Sequence, residues 1–171
     1  HQWQGICYYK KKITITPEEA KKHIWIEFEG AMHLADVWIN GKHVMQHAGG
    51  YTPFVVDATG LLKTGKENEL LVRLDNRNNS LIPPGKPLET LDFCYYGGIY
   101  RNVHLIAKAD VHITHPILDG HPAGAGIFIT YPKVSQELSV VDAKTEIKNT
   151  SDKEKVVELR HTLYTWKKQK A

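Results

Sequence analysis

In the run His23-Ile-Trp-Ile-Glu-Phe-Glu29, Ile24, Ile26 and Phe28 alternate with Trp25, Glu27 and Glu29. A period of two predicts a strand with one face in a core. Ala35-Asp-Val-Trp-Ile39 repeats the pattern and leads into Asn40-Gly41. That dipeptide predicts a two-residue hairpin, because both central positions of a type I′ turn need φ > 0. The return strand then runs from about Lys42 to His47. Gly49-Gly50 breaks the pattern, and Tyr51-Thr-Pro-Phe-Val-Val-Asp57 follows as a further strand. Asp57 to Leu62 predicts one helical turn, capped by Asp57 or Thr59 and ended by Gly65. Glu69 to Asp75 is again a strand, with Leu70, Val72 and Leu74 on one face, and Ile99 to Ile106 closes this first set. A loop from Asn76 to about Leu91, carrying Pro83, Pro84 and Pro87, separates the last two strands. A loop of that length inside a compact domain is usually functional.

The texture changes after Ala107-Lys-Ala-Asp110. Gly120 to Gly126 reads as loop, and Ile127–Tyr131, Ser139–Lys148 and Val156–Trp166 read as strands, the last two joined by the turn Asn149–Lys153. About 60 residues with three or four strands do not close a sandwich, and burial at that size is marginal. The chain is therefore expected to be all-β. It divides into a domain over residues 1–108 and an incomplete second one over 109–171.

Composition narrows the function classes. The chain is 42% hydrophobic and 24% charged, as ordinary globular proteins are, with a net charge of +3. That balance lacks the clustered basic face of a nucleic-acid binder. Lys10-Lys11-Lys12 and Lys167-Lys168-Gln169-Lys170 are its only basic runs, and both read as solvated ends. No apolar run reaches the roughly 18 to 20 residues of a membrane helix, and none has the pattern of a signal peptide. The sequence begins at His1 rather than Met, as a processed or trimmed product would, and the compartment is not legible. Cys7 and Cys94 both sit in apolar or aromatic runs, which favours buried free thiols over a disulfide.

Ten histidines invite a metal reading that geometry weakens. His43 and His47 on one strand would lie roughly 13 Å apart, and His112 and His115 would point to opposite faces. No metal and no cofactor is expected. Asn68-Glu69 resembles the pair that ends a barrel strand in many glycosidases, yet here it follows Gly65 at the start of a sandwich strand. There Asn68 is expected to hydrogen-bond the turn. Asp75, Glu89 and Asp92 flank one loop, but nothing fixes two of them at the separations of about 5 to 9.5 Å that glycoside hydrolysis needs. Nucleophile elbow, phosphate loop and CxxC pair are all lacking.

Asp92-Phe-Cys-Tyr-Tyr-Gly-Gly-Ile-Tyr-Arg101 is the informative segment. It sets a carboxylate beside aromatic faces, then a Gly-Gly turn, then a strand. Aromatic faces stack on the C–H faces of sugars and carboxylates accept hydrogen bonds from hydroxyls, so the chemistry suits a carbohydrate. A packed aromatic turn with Arg101 paired internally fits the same residues.

The chain also resembles the N-terminal sugar-binding domain of family 2 glycoside hydrolases, the group of β-galactosidases, β-glucuronidases and β-mannosidases. The matching pieces run in the family's order: Gly5-x-x-Tyr8-Tyr-Lys-Lys11, Phe28-Glu-Gly30, Ala35-x-Val-Trp-x-Asn-Gly41 and Gly49-Gly-Tyr-Thr-Pro-Phe54, then Glu67-Asn-x-Leu70, Val72-Arg-Leu-Asp-Asn76 and Tyr96-Gly-Gly-Ile-Tyr-Arg101. Residues 110–166 resemble the opening strands of the family's immunoglobulin-like second domain, mainly by position and by the Ile147-x-Asn149 turn.

This resemblance implies a jelly-roll (galactose-binding-like) β-sandwich, short of its first strand, followed by a partial immunoglobulin-like sandwich. In the family both catalytic glutamates belong to a later (β/α)8 barrel that this chain lacks. Its expected partners are that barrel and a β-glycoside substrate, with no nucleic acid and no membrane; a homo-oligomer stays open. The sandwich lends the barrel's pocket a carboxylate from the loop before the Gly-Gly turn, and the matching position is Asp92. Sodium ligation by that carboxylate in some members is not carried over. A sugar-contacting Asn of some β-galactosidases would fall near Gln2, where this chain departs. Pro83-Pro84-Gly85 looks closer to glucuronidases, the Tyr-Gly-Gly-Ile-Tyr-Arg wording to galactosidases. The expected roles are Asp92 on a hydroxyl of the nonreducing sugar, Tyr95 and Tyr96 as pocket wall, and Arg101 as brace through an internal salt bridge. The parent enzyme would be a retaining, β-galactosidase-like hydrolase and the chain alone inactive. A free-standing carbohydrate-binding module and a purely structural buttress are the alternatives.

Overall fold

The computed structural model describes residues 3–121 and 124–164. It is all-β and falls into two compact units, His1–Ala109 and Asp110–Ala171. In the first unit β1 (Ile6–Ile13), β2 (His23–Phe28), β3 (Ala31–Met32), β4 (Leu34–Ile39) and β5 (Lys42–Ala48) are followed by β6 (Phe54–Asp57), β7 (Asn68–Asp75), β8 (Gly98–Ile99) and β9 (Val103–Lys108). Antiparallel pairing gives a four-stranded sheet in the order β1-β7-β4-β5, a three-stranded sheet β6-β2-β9, and a short β3-β8 pair.

Period-two faces build the core between the two larger sheets. Ile24, Ile26 and Phe28 of β2 meet Ala35, Val37 and Ile39 of β4 and Leu70, Val72 and Leu74 of β7 in one cluster. Phe28 is wholly buried and stacks on Phe54 at 4.6 Å between ring centroids. The opposite face of β2 departs from expectation at Trp25, which is also buried. Opposite faces also carry the ionic groups: Asp36, buried on β4, accepts from His43, Gln46 and Arg73 at 3.0, 2.8 and 3.1 Å.

The Asn40-Gly41 hairpin forms as expected, with φ of 51° and 79°. One extra residue, Val44, bulges between the pairs Val37–Met45 and Trp38–His43. Asn68 is fully buried and acts as a hub. It takes hydrogen bonds from Lys63 N and Asn40 Nδ2, and gives them to the carbonyls of Lys63, Lys66 and Ile13. Asn68 thus holds the turn rather than a reacting group, and Glu69 pairs with Lys10.

Several elements differ from the sequence reading. Residues 58–62 form a tight turn, not a helical one; Asp57 Oδ1 accepts from Thr59 N, and Gly60 at φ 73° stops a helix from continuing. The strand expected over 99–106 breaks at 100–102, where Tyr100 donates to the Gly50 carbonyl at 2.6 Å and is drawn off the ladder. Thr16 and Glu19 form a reciprocal capping box around a short 3-10 turn, Glu19–Lys21, a Thr-x-x-Glu signal readable in the sequence. Both cysteines are free, but Cys7 is half-buried and Cys94 exposed, because the loop around Cys94 packs through its tyrosines instead.

In the second unit β10 (Val111–Ile113) pairs with β13 (Ile147–Asn149), and β11 (Ile127–Lys133) with β12 (Val140–Thr145). Ser139–Lys148 is therefore two strands, parted at Glu146, whose N–H turns to the Gly126 carbonyl and whose carboxylate takes the Thr114 hydroxyl. Among the described residues, no strand forms over 156–163, where every side chain is exposed and too little surface is buried to hold a ladder. The end of that expected strand, Trp166, lies outside the described residues, as do Lys167, Lys168 and Lys170. Ile127, Ile129 and Tyr131 share an exposed apolar face of β11.

Candidate functional site

The loop from Asp92 to Gly97 is set by its tyrosines. Tyr95 is half-buried, and its hydroxyl lies 2.7 Å from His33 Nδ1 and 2.9 Å from the Asn76 carbonyl, to which it donates. Burial pushes the Tyr95 phenol up from its ordinary value, as do the nearby Tyr51 and Asp75. Tyr96 stacks on Tyr100 at 4.5 Å, and Tyr51 reaches across to donate to the Cys94 carbonyl at 3.0 Å while its ring meets Phe93 edge-on. These contacts hold an otherwise irregular segment in one shape.

The Gly-Gly turn has a backbone cause. Gly98 sits at φ 72°, in the left-handed region that favours glycine, and a Cβ there would collide with the Tyr9 hydroxyl. Asn76 ties the chain start to the same place, accepting from Gly5 N at 2.8 Å and donating to the Trp3 carbonyl at 3.0 Å. A cavity of about 210 Å³ results, lined by Trp3, Asn76, Leu88, Tyr95, Tyr96 and Gly97. Trp3 is 61% exposed and adds an aromatic ring to the cavity wall. The sequence reading overlooked it; an unpaired Trp just ahead of the first strand was the available signal.

Of the expected site residues, Tyr95 and Tyr96 line the cavity. Asp92, three positions ahead of Tyr95, is exposed and has no hydrogen bond or ion pair among the described residues. Arg101 does not brace the turn by a salt bridge. It is exposed, with no ion pair among the described residues, and its aliphatic stem lies against Gly30. Among the described residues no carboxylate pairs with it, so packing replaces pairing. Gln2 lies outside the described residues. Asp75, one of the three loop carboxylates, is buried and bound by Arg77 and Arg73, which leaves it unsuited to acid or base work.

The ionisable groups around this loop give a pH signature. Burial lowers His33 below the ordinary histidine value, only partly offset by the Asp75 charge, and burial also lowers His47. The Arg77 hydrogen bonds hold the Asp75 carboxyl low against a burial penalty. For Asp36 burial pushes upward, yet hydrogen bonds from Gln46, His43 and Arg73 outweigh it and the net is lowered. All four groups bind protons more readily unfolded than folded, so stability must fall as pH falls. The urea midpoint of the first unit, followed by Trp fluorescence, should hold steady above about pH 7 and decline below about 6.5 as the unfolded histidines protonate. It should decline again below about pH 4, where the carboxylates do. A flat profile from pH 7 to 5 would mean that the two histidines bind protons equally in both states.

Known proteins similar to this chain identify its family. Residues 2–109 match the profile of the glycosyl hydrolases family 2 sugar binding domain. A β-glucuronidase of Bacteroides fragilis is 36% identical over 150 residues, covering 85% of this chain and 20% of that protein. A β-galactosidase of Thermoanaerobacter pseudethanolicus is 37% identical over 151 residues, covering 86% and 20%. Among solved structures, Bacteroides uniformis β-glucuronidase 2 covalently bound to cyclophellitol-6-carboxylate aziridine superposes with a TM-score of 0.73 at 33% identity, over 87% of this chain and 17% of that one. The chain thus spans about a fifth of the length of the curated relatives it matches. With an all-β fold and a profile match over residues 2–109, the chain belongs to glycosyl hydrolase family 2, those residues being its sugar-binding domain.

Proposed function

We propose that this chain is the substrate-side, non-catalytic part of a retaining β-glycosidase that hydrolyses O-glycosyl bonds. Asp92 holds a hydroxyl of the nonreducing sugar, while Tyr95 and Tyr96 form the wall beside it. The observation that carries this reading is an exposed Asp92 carboxylate with no partner among the described residues, in the same loop as an aromatic-lined cavity. A carboxylate serving only to buttress the fold would be buried and paired. A complete, self-sufficient binding module would hold its carboxylate and its aromatic wall in one cavity, whereas Asp92 is not among the residues that line this one. The catalytic glutamates and the remaining pocket wall then belong to a barrel outside this chain. β-Galactosides are the first substrates to assay, with β-glucuronides alongside, since relatives of both names match equally well.

Two features support the proposed domain plan. Both β1 and β9 are sheet edges, and an apolar groove of about 510 Å³ runs between them, walled by Tyr9, Ile13, Phe28, Ile99, Val103 and Leu105 among others. That is the gap a missing first strand of the jelly roll would fill. The exposed apolar face of β11 is what an immunoglobulin-like sandwich lacking its other strands would present.

In a glycosidase polypeptide carrying this domain, Asp92→Asn should lower kcat/KM about ten- to hundredfold. Charge-assisted hydrogen bonds contribute about 1.5 to 3 kcal/mol, and about 1.36 kcal/mol is a factor of ten. Unchanged kinetics would remove Asp92 from the site. The 171-residue chain alone should not cleave nitrophenyl glycosides, and measurable turnover would overturn the division of labour.

A further inference from the structure

A second, separate cavity of about 260 Å³ is walled by His33, Leu34, Asp75, Arg77, Asn78 and Asn79. We propose that it is an additional carbohydrate subsite, one that takes neighbouring hydroxyls of a single neutral sugar ring. The proposal does not depend on the role given to Asp92.

The cavity's hydrogen-bonding character follows from what its side chains have already committed. His33 is 4% exposed, with Nδ1 2.7 Å from the Tyr95 oxygen. That same phenol lies 2.9 Å from the Asn76 carbonyl, which can only accept. The phenol has one proton, so it donates to Asn76 and accepts from His33 Nδ1–H. Tyr95 therefore fixes the His33 tautomer, and Nε2 carries a lone pair. Nε2 has no partner among the described residues, yet none of their fully buried side-chain polar atoms is left unsatisfied. It follows that Nε2 keeps some exposure, and since His33 lines this cavity the proposal sets that lone pair at its wall.

The remaining walls donate. Asn78 Oδ1 accepts from Gln4 Nε2 at 2.9 Å and from Leu88 N at 3.0 Å, and Asn79 Oδ1 accepts from Leu81 N at 2.9 Å. Those bonds fix which end of each amide is oxygen and leave both NH₂ groups unspent. Arg77 gives Nε and Nη2 to Asp75 at 2.9 and 2.6 Å and keeps Nη1. Asp75 is filled by Arg77 N, Nε and Nη2 and by Arg73. Counted by the groups its lining residues leave uncommitted, the cavity has one acceptor and several donors, with no free carboxylate and with the Arg77 charge balanced. A hydroxyl group both gives and takes a hydrogen bond, so adjacent sugar hydroxyls satisfy both. An anion has no proton for Nε2 and meets no net positive charge. At about 260 Å³ the cavity falls just short of the roughly 300 Å³ at which drug-sized sites begin, so it suits one ring and not an oligosaccharide.

Two-bond ¹H–¹⁵N spectra of the histidines in the 171-residue chain test this directly. Titration with methyl β-galactopyranoside should move the His33 Nε2 resonance upfield in a saturable way as a hydroxyl donates to it. Asn79→Asp keeps the oxygen that holds Leu81 N but turns the free donor into an acceptor. It should weaken the apparent affinity about fivefold or more, as loss of one hydrogen bond predicts. Asp92→Asn should leave the His33 response intact, so failure of this subsite and failure of the Asp92 role read out separately. An Nε2 resonance that does not move up to the solubility limit of the sugar overturns the proposal in the native chain, whether or not the variant folds. So does an unchanged affinity in a folded Asn79→Asp, or a response confined to methyl β-glucuronide, which would make the cavity an anion site.

Discussion

Asn68→Ala should destabilise the first unit by about 3 to 5 kcal/mol, since each buried group left without its partner costs about 1 to 3 kcal/mol. The substitution removes the partner of Lys63 N and of the Lys63 and Lys66 carbonyls, and leaves the Asn40 NH₂ with the Leu61 carbonyl alone. Against a typical total of about 5 to 15 kcal/mol, that loss brings the unit near its threshold. In urea it corresponds to a midpoint lowered by roughly 2 M, at about 2 kcal/mol per molar. Trp fluorescence reports this unit, because Trp25 is buried within it. Glu69→Gln is the matched control. It removes only the half-exposed ion pair with Lys10 and should shift the midpoint little. Equal effects of the two substitutions would mean that Asn68 is no hub.

Phe28→Ala should cost a similar amount for a different reason. A fully buried Phe truncated to Ala loses about 3 to 5 kcal/mol through lost transfer energy and the cavity left behind. Phe28 has no exposed surface, stacks on Phe54, and faces the interior from the central strand of its sheet. Phe28→Leu retains most of the volume and should recover more than half the loss. A midpoint that barely moves in Phe28→Ala would mean that the sheets can close over the gap, contrary to the packing of this core.

The difference between these two sites explains what was legible in the sequence. Phe28 stands in an alternating run, and period two alone places it inward. Asn40-Gly41 was equally legible because its turn type demands positive φ at two successive residues. Asn68 could be assigned a turn role from Gly65 nearby, but not its five bonds, which join segments up to 55 residues apart. The same limit applied at the site. The Asp92–Arg101 run stood out by composition, whereas Arg101 was given a salt bridge that needs a carboxylate in reach, and proximity of that kind is set by the fold. His33 gave no local signal at all. Its cavity exists only where β3 leads into β4 beside the end of β7 and meets Tyr95 from a loop 62 residues away. Strand breaks at 100–102 and at Glu146 were missed for a related reason: each is caused by a side chain or carbonyl that bonds across the sheet.

Gly98 also bears on how far the Tyr-Gly-Gly-Ile-Tyr-Arg signature can be used as a label. Its second glycine is required by a left-handed backbone with the Tyr9 phenol above it, and both requirements would be the same whatever sugar sat nearby. A search built on that hexapeptide would collect chains that share a bend. Sorting them by substrate has to rely on positions that the bend leaves free to vary, such as Trp3, Asn79 and Asp92.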